Sequence, residues 1–311
     1  MTRKGGRAAD DQAETAVPTP PVESVDTVPT PSVAARKAAV DERKAAAHKA
    51  RQRVAVIIPA KDESRRIAAT ATARTTKKYG ARDVLVTTVL PTSWPALHRS
   101  DGVVLLALQT TSSSNDVSRD LAHALLEAIE VEAGTAVETI GLPEPGPRLQ
   151  DVLDLSVPFE VTVQDSFAYW LAPDTERTPD LQAAIEEADA GIIDTVKLES
   201  ADAAYWCRMG AREFLRWAQP HEEQVVLDAL SRLHAKRESG FEGAKFVGYF
   251  RSAGLVVPVW ELAKGSEAED IEKPLADFVP AFEAALADTT ALDANERRAR
   301  AGLVARQVTL R

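Results

Sequence analysis

Cys207 is the chain's single thiol, and a thiolate activated by an imidazole is the simplest nucleophile the sequence offers, with His221 or His234 as the base. Its setting argues for packing instead. Cys207 lies between Trp206 and Arg208 in an apolar, strand-like run, where cysteine behaves as a small hydrophobe. His221-Glu222-Glu223 opens like a zinc-protease helix, which needs a second histidine four residues after the first; Val225 stands there. One thiol is also too few for a cysteine-built zinc site. The sequence therefore assigns no catalytic residue, no metal and no cofactor.

Two further constellations suit binding rather than catalysis. The polar loop TTSSSNDVS (110–118) runs into Arg119, Asp120 and His123 at a helix start, a place where backbone N–H groups attract anions. The glycines that bring backbone close to a phosphate are missing, so Asn115 or Asp116 is expected to cap the helix. Five tryptophans, at 94, 170, 206, 217 and 260, stand out in a chain that is only 5% aromatic. Most are expected to anchor a core. Trp206 and Trp217, with neighbouring Arg208 and Arg216, make the best candidate for a ligand-stacking face on a sheet.

Val54–Ile67, VAVIIPAKDESRRI, places Pro59, Ala60, Lys61, Asp62 and Glu63 at the carboxyl end of a short strand pattern. This turn resembles the opening of family 2 glycosyltransferases, and the resemblance implies a nucleotide-sugar site using Pro59, Asp62 and Glu63. Acids there can take hydrogen bonds from a ribose or base. The later elements of that family are missing: the next strand, DVLVTTVLP, carries no acid at its end, and no Asp-x-Asp pair closes a later strand to hold a divalent cation.

The elements that must position these residues follow from periodicity. Residues 34–53 have helix-forming composition without an apolar stripe, and helix-forming character returns around Arg65 to Ala73. Strands are expected at 54–60, 83–91, 102–110, 136–140, 159–164, 167–172, 194–199, 204–209, 213–219, 245–252 and 255–262. Helices are expected at 117–131, from Thr178, at 221–236 with Val225, Val226 or Leu227, Leu230 and Leu233 inside, and at 267–287 with a break or fresh start at Pro274. Hairpin followed by helix, three times over, predicts an α+β fold of antiparallel hairpins covered by helices.

Composition bounds what this body can do. The net charge of −10 and pI near 5.2 argue against nonspecific nucleic-acid or anionic-membrane binding by the body as a whole, so no DNA partner is expected for it, although a local basic patch stays open. No apolar run reaches the roughly 18 residues of a membrane helix. A single cysteine and a charged N-terminus without an apolar signal core make the cytoplasm the expected compartment. Pro18, Pro20, Pro21, Pro29 and Pro31 without periodicity mark a disordered arm, so 1–53 is one segment, 54–76 a transferase-like or remodelled edge, and 77–311 the body. Protein or RNA contact through the basic segment 34–53 is the expected partnership.

From about Lys77 onward the stretches TTVLPTSWPAL (87–97), LQTTSSSNDVSRDLAHAL (108–125), LRWAQPHEEQVVLDALSRLHA (215–235) and ERRARAGLVARQVTL (296–310) carry a resemblance to an uncharacterised actinobacterial family, domain of unknown function 5926. That resemblance implies no activity. Some relatives open with a Cys/His-rich zinc motif, and this chain has no cysteines there to carry it. The expectation is a non-enzymatic cytoplasmic binding or adaptor protein; the alternative is a nucleotide-sugar glycosyltransferase or its remnant.

Overall fold

The computed structural model describes residues 66–109, 114, 116–252 and 254–305. The chain divides into two units, Met1–Asp41 and Glu42–Arg311, and the described residues belong to the second. The Pro-rich arm, the basic segment 34–53, the strand expected at 54–60 and the Pro59/Asp62/Glu63 turn lie outside the described residues.

The first half is a six-stranded mixed sheet built from β1 (Ala69–Arg74), β2 (Asp83–Thr87), β3 (Ala96–His98), β4 (Val104–Ala107), β5 (Thr135–Val137) and β6 (Val161–Val163). Their order is β5-β3-β4-β2-β1-β6. Helices α1 (Val117–Glu130) and α2 (Leu149–Val152) cover one face, where Leu121, Leu125 and Val152 pack on Val84, Val86, Val104 and Leu106. The opposite face carries Leu105 and Ala107 against Phe167, Trp170 and Ile185 of α3 (Pro179–Asp189). Thr178 caps α3 with Pro179 in the first turn, as its sequence requires.

Three expectations for this half are corrected. The helix around Arg65 to Ala73 is strand β1, hydrogen-bonded to β2 on one side and β6 on the other. Its Ala69, Ala71 and Ala73 face α1 while Thr70 and Thr72 face away, a period of two that outweighs the helical propensity of alanine. The runs at 83–91 and 102–110 do not form a hairpin: β2 and β4 are parallel, and β3, from the Trp/Pro-bearing connection, pairs antiparallel to β4. Residues 167–170 are a 3-10 turn, not a strand, because Ser166 caps the turn through the Ala168 N–H and the three aromatic rings cluster on one another.

The second half is a five-stranded antiparallel sheet in the order β10-β11-β9-β8-β7, from β7 (Thr195–Lys197), β8 (Ala204–Met209), β9 (Arg212–Trp217), β10 (Ala244–Ser252) and β11 (Leu255–Leu262). It matches the expected hairpins, with Gly210 at positive φ between β8 and β9 and Gly254 likewise between β10 and β11. Helices α4 (Glu223–Ala235), α5 (Ala268–Ala287) and α6 (Ala294–Ala305) supply Leu230, Phe278, Phe282 and Leu303 to its outer core. In α4 the buried stripe is Val226, Leu227, Leu230 and Leu233; Val225 is exposed. The α+β class therefore stands, with one mixed and one antiparallel sheet.

No break interrupts α5 at Pro274: the helix runs through both Pro274 and Pro280. Each proline removes a backbone donor, a penalty of about 3 kcal/mol relative to alanine in a helix interior. Burial of Ile271, Leu275, Phe278 and Phe282 along one stripe holds the helix together regardless. Pro280 is exposed, so Pro280→Ala removes the penalty without touching the core. We expect it to stabilise the protein by roughly 1–3 kcal/mol, read as a higher denaturation midpoint. A lower midpoint would show that the proline fits this helix better than its type suggests.

Candidate functional site

The hairpin β8–β9 carries Trp206, Arg208, Arg216 and Trp217, and its register decides which of them can act together. Tyr205 pairs with Arg216, Trp206 with Leu215, Arg208 with Glu213 and Ala204 with Trp217. Since side chains alternate along a strand, Trp206, Arg208 and Trp217 share the outer, helix-covered face, and Arg216 points to the inner face with Tyr205 and Cys207.

On the outer face each polar group is engaged. The Trp206 indole N–H donates to the Ser266 carbonyl at 2.9 Å, and that of Trp217 to the Asp202 carbonyl at 3.0 Å. The Trp217 ring lies 4.9 Å from Phe282, centroid to centroid, so both indoles serve the core. Arg208 lies over the Trp206 ring and is clasped by Glu267 at 2.5 Å and Glu213 at 3.2 Å, with Asp194 at 3.8 Å. Glu213 also accepts the Gly265 N–H. The cluster ties the hairpin to the residue preceding α5, and the Glu267 carboxylate, above all, holds the guanidinium charged. It is a brace.

On the inner face Arg216 is buried at 2% exposure. Its Nη2 donates to the Met209 sulfur at 2.7 Å, while Nε and Nη1 have no hydrogen-bond partner. The Tyr205 hydroxyl, also buried, has none either, and burial pushes that phenol well above its ordinary range. Next to them Cys207 packs against the first sheet's core, and burial raises its thiol as well. A buried, protonated thiol is a poor nucleophile. Cys207 is accordingly expected to resist thiol-labelling reagents in the native state and to react fully once the protein is unfolded. Rapid native labelling at neutral pH would contradict this.

The loop ahead of α1 resolves into a cap. Asp116 accepts the Arg119 N–H through Oδ1 and the Arg148 guanidinium through Oδ2, at 3.3 and 2.9 Å. Ser118 accepts the Leu149 N–H and donates to Gln150, linking α1 to α2. The chain's own carboxylate thus occupies the positive end of the helix. Asn115 lies outside the described residues.

A second polar group gathers at one end of the mixed sheet, where sequence reasoning singled out nothing. Thr87 Oγ1 and the Tyr169 hydroxyl lie 2.6 Å apart, and Gln164 donates to Thr70 at 3.0 Å. Burial pushes the Tyr169 phenol up to about 12 despite these hydrogen bonds. Arg99 pins the adjoining turn through the Tyr169 and Leu171 carbonyls, and both its Nε and Nη2 grip Asp101. The hydrogen bonds from Arg99 hold the Asp101 carboxyl below its ordinary 3.8. A depressed folded value means that the contribution to stability is complete above the unfolded value and fades as pH falls through the folded one. Asp101→Asn should therefore cut stability at pH 7 and flatten its decline below about pH 4, measured by urea unfolding across pH. An unchanged acid limb would refute the assignment.

Glu222 precedes α4, and Glu223 is gripped by Arg251 at 2.6 and 2.8 Å, so the His221-Glu222-Glu223 run is a helix start. His234 pairs with Ser239 at 2.9 Å. Among the described residues no group of three or more His, Cys, Asp or Glu could hold a metal ion.

A family model described as DUF5926, a family of unknown function, matches residues 65–311. The chain belongs to the DUF5926 family. No curated protein and no solved structure matches it. The matched region takes in β1 and both sheets and starts at residue 65, ahead of Lys77, from where the resemblance was expected. No helix among the described residues is long and apolar enough to cross a membrane.

Proposed function

We propose that this DUF5926 protein is a non-catalytic binding or adaptor protein of the cytoplasm. One observation carries the reading: among the described residues, every resolved displacement of a titratable group runs away from neutrality. The carboxyls of Asp101, Asp154, Glu223, Glu272 and Asp288 are lowered. The thiol of Cys207, the phenols of Tyr169 and Tyr205, and the cations of Arg208, Arg251 and Lys273 are raised. A carboxyl, thiol, phenol or ammonium that serves as a general acid or base needs the opposite, a displacement toward the working pH so that it can both give and take a proton. Here ionisable side chains lock charge states in place and brace turns and helix starts.

The test is capture by the full chain from cytosol, with and without ribonuclease. The expected result is a retained component that, once purified, rebuilds a saturable complex of fixed stoichiometry by size-exclusion chromatography with light scattering. Loss of that component on ribonuclease treatment would make it an RNA; persistence would make it a protein. Failure to rebuild any complex from either preparation overturns the proposal. Saturable heat on titrating UDP- or GDP-sugars with Mg²⁺ or Mn²⁺ would replace it with the transferase reading.

A further inference from the structure

The inner face of β8 and β9 sets a strong donor on a poor acceptor. Arg216 is buried and stays protonated, yet its Nη2 donates to the Met209 sulfur at 2.7 Å, and Nε and Nη1 have no hydrogen-bond partner. A thioether is a weak acceptor, and the Phe250 ring, 5.7 Å from the guanidinium carbon, adds only a modest cation–π attraction. Met209 stands at the last position of β8, opposite Arg212 and beside the Gly210 turn. It is half-buried, so of the pair it is the one open to a small solute. The chain's other methionine is Met1, at the opposite end of the sequence.

We propose that Met209 is a modification site, oxidised by hydrogen peroxide to a sulfoxide whose oxygen takes over the Arg216 hydrogen bond. A sulfur lone pair forms the new S–O bond as the O–O bond of the peroxide breaks. The departing oxygen keeps its own hydrogen, takes the one from the transferred oxygen and leaves as water. Sulfur loses two electrons and the peroxide gains them. The sulfoxide is polar where the thioether was apolar, and its oxygen gives the guanidinium the strong acceptor it lacks. No cavity is required: the unbranched side chain withdraws its half-buried end toward solvent, and the oxygen takes the place the sulfur leaves. Methionine oxidation ordinarily disrupts a core. Here the opposite sign is expected, because the polar group that forms meets a buried cation short of acceptors. The site stands apart from the binding reading above, since it needs no macromolecular partner.

The experiment exposes the native full chain to hydrogen peroxide and reads peptide mass and thermal melting. The peptide holding Met209 should gain one oxygen, and the melting temperature of the wild type should rise by about 2–4 °C. Met209→Leu should show no such rise. Met209→Gln, whose carboxamide oxygen stands in for that of the sulfoxide, should melt above Met209→Leu without any peroxide. In Arg216→Leu the cation is gone, and oxidation of Met209 should lower the melting temperature instead. Should Arg216→Leu fail to fold, the comparison of Met209→Gln with Met209→Leu decides. A native Met209 that peroxide leaves unmodified overturns the proposal. So does a sulfoxide that fails to raise the wild-type melting temperature, an equal rise in Met209→Leu or a folded Arg216→Leu, or a Met209→Gln that melts no higher than Met209→Leu.

Discussion

Trp260→Ala is expected to destabilise the protein by about 3–5 kcal/mol, the range for removing a large aromatic from a packed core. Trp260 is fully buried at the centre of the second sheet's outer core. Its ring centroid lies 5.4 Å from Phe246, 5.9 Å from Phe278, 6.2 Å from Phe241 and 6.2 Å from Trp217. These partners come from β9, β10, α5 and the turn before β10, so no single neighbour can move to fill the void. The indole N–H also donates to the Ser239 carbonyl at 2.7 Å, and truncation leaves that buried acceptor unpaired. Phenylalanine keeps most of the volume and loses the donor, so Trp260→Phe should fall between wild type and alanine. Urea unfolding followed by circular dichroism measures both. A loss below about 1 kcal/mol for alanine would mean that this core can collapse around the gap.

The sequence revealed much of the second sheet because its strands are long, β-branched or aromatic, and joined by tight turns at Gly210 and Gly254. Elsewhere local preference and tertiary demand part. Alanines in AATATAR suggested a helix, yet the Ala/Thr alternation already spelled a two-sided strand, with Arg74 and Asp83 paired across it. The parallel pairing of β2 with β4 left no local mark, since β3 enters from a connection that reads as loop. At the candidate site one feature was legible without coordinates: Arg216 and Trp217 are consecutive in a strand and must face opposite ways. The missing counter-charge at Arg216 was not legible, because it depends on what five strands bring to one inner face.

The same physics sets the second large expected effect, Trp170→Ala, in the other half of the molecule. Trp170 stacks on Phe167 at 4.5 Å, donates its indole N–H to the Val89 carbonyl at 3.0 Å and seals the face of the mixed sheet opposite α1. Alanine should again remove about 3–5 kcal/mol. The informative part is the shape of the unfolding curve. Cys207, with Met209 and Phe214 beside it, packs into one core with Ile193, Leu153 and Val161, and the Arg66 backbone bonds to Gly191 and Ile193 beside β7. A junction of that kind makes the two sheets unfold together, so Trp170→Ala and Trp260→Ala should each shift one shared transition. Their residues share no partner in any ring contact or hydrogen bond above, so the two losses should add within about 0.5 kcal/mol. Small domains typically have only about 5–15 kcal/mol of stability, and the double variant is expected to be largely unfolded at 25 °C. Two separate transitions in Trp170→Ala, with the Trp260 sheet melting as in the wild type, would instead show that the shared core around Cys207 is too weak to couple them.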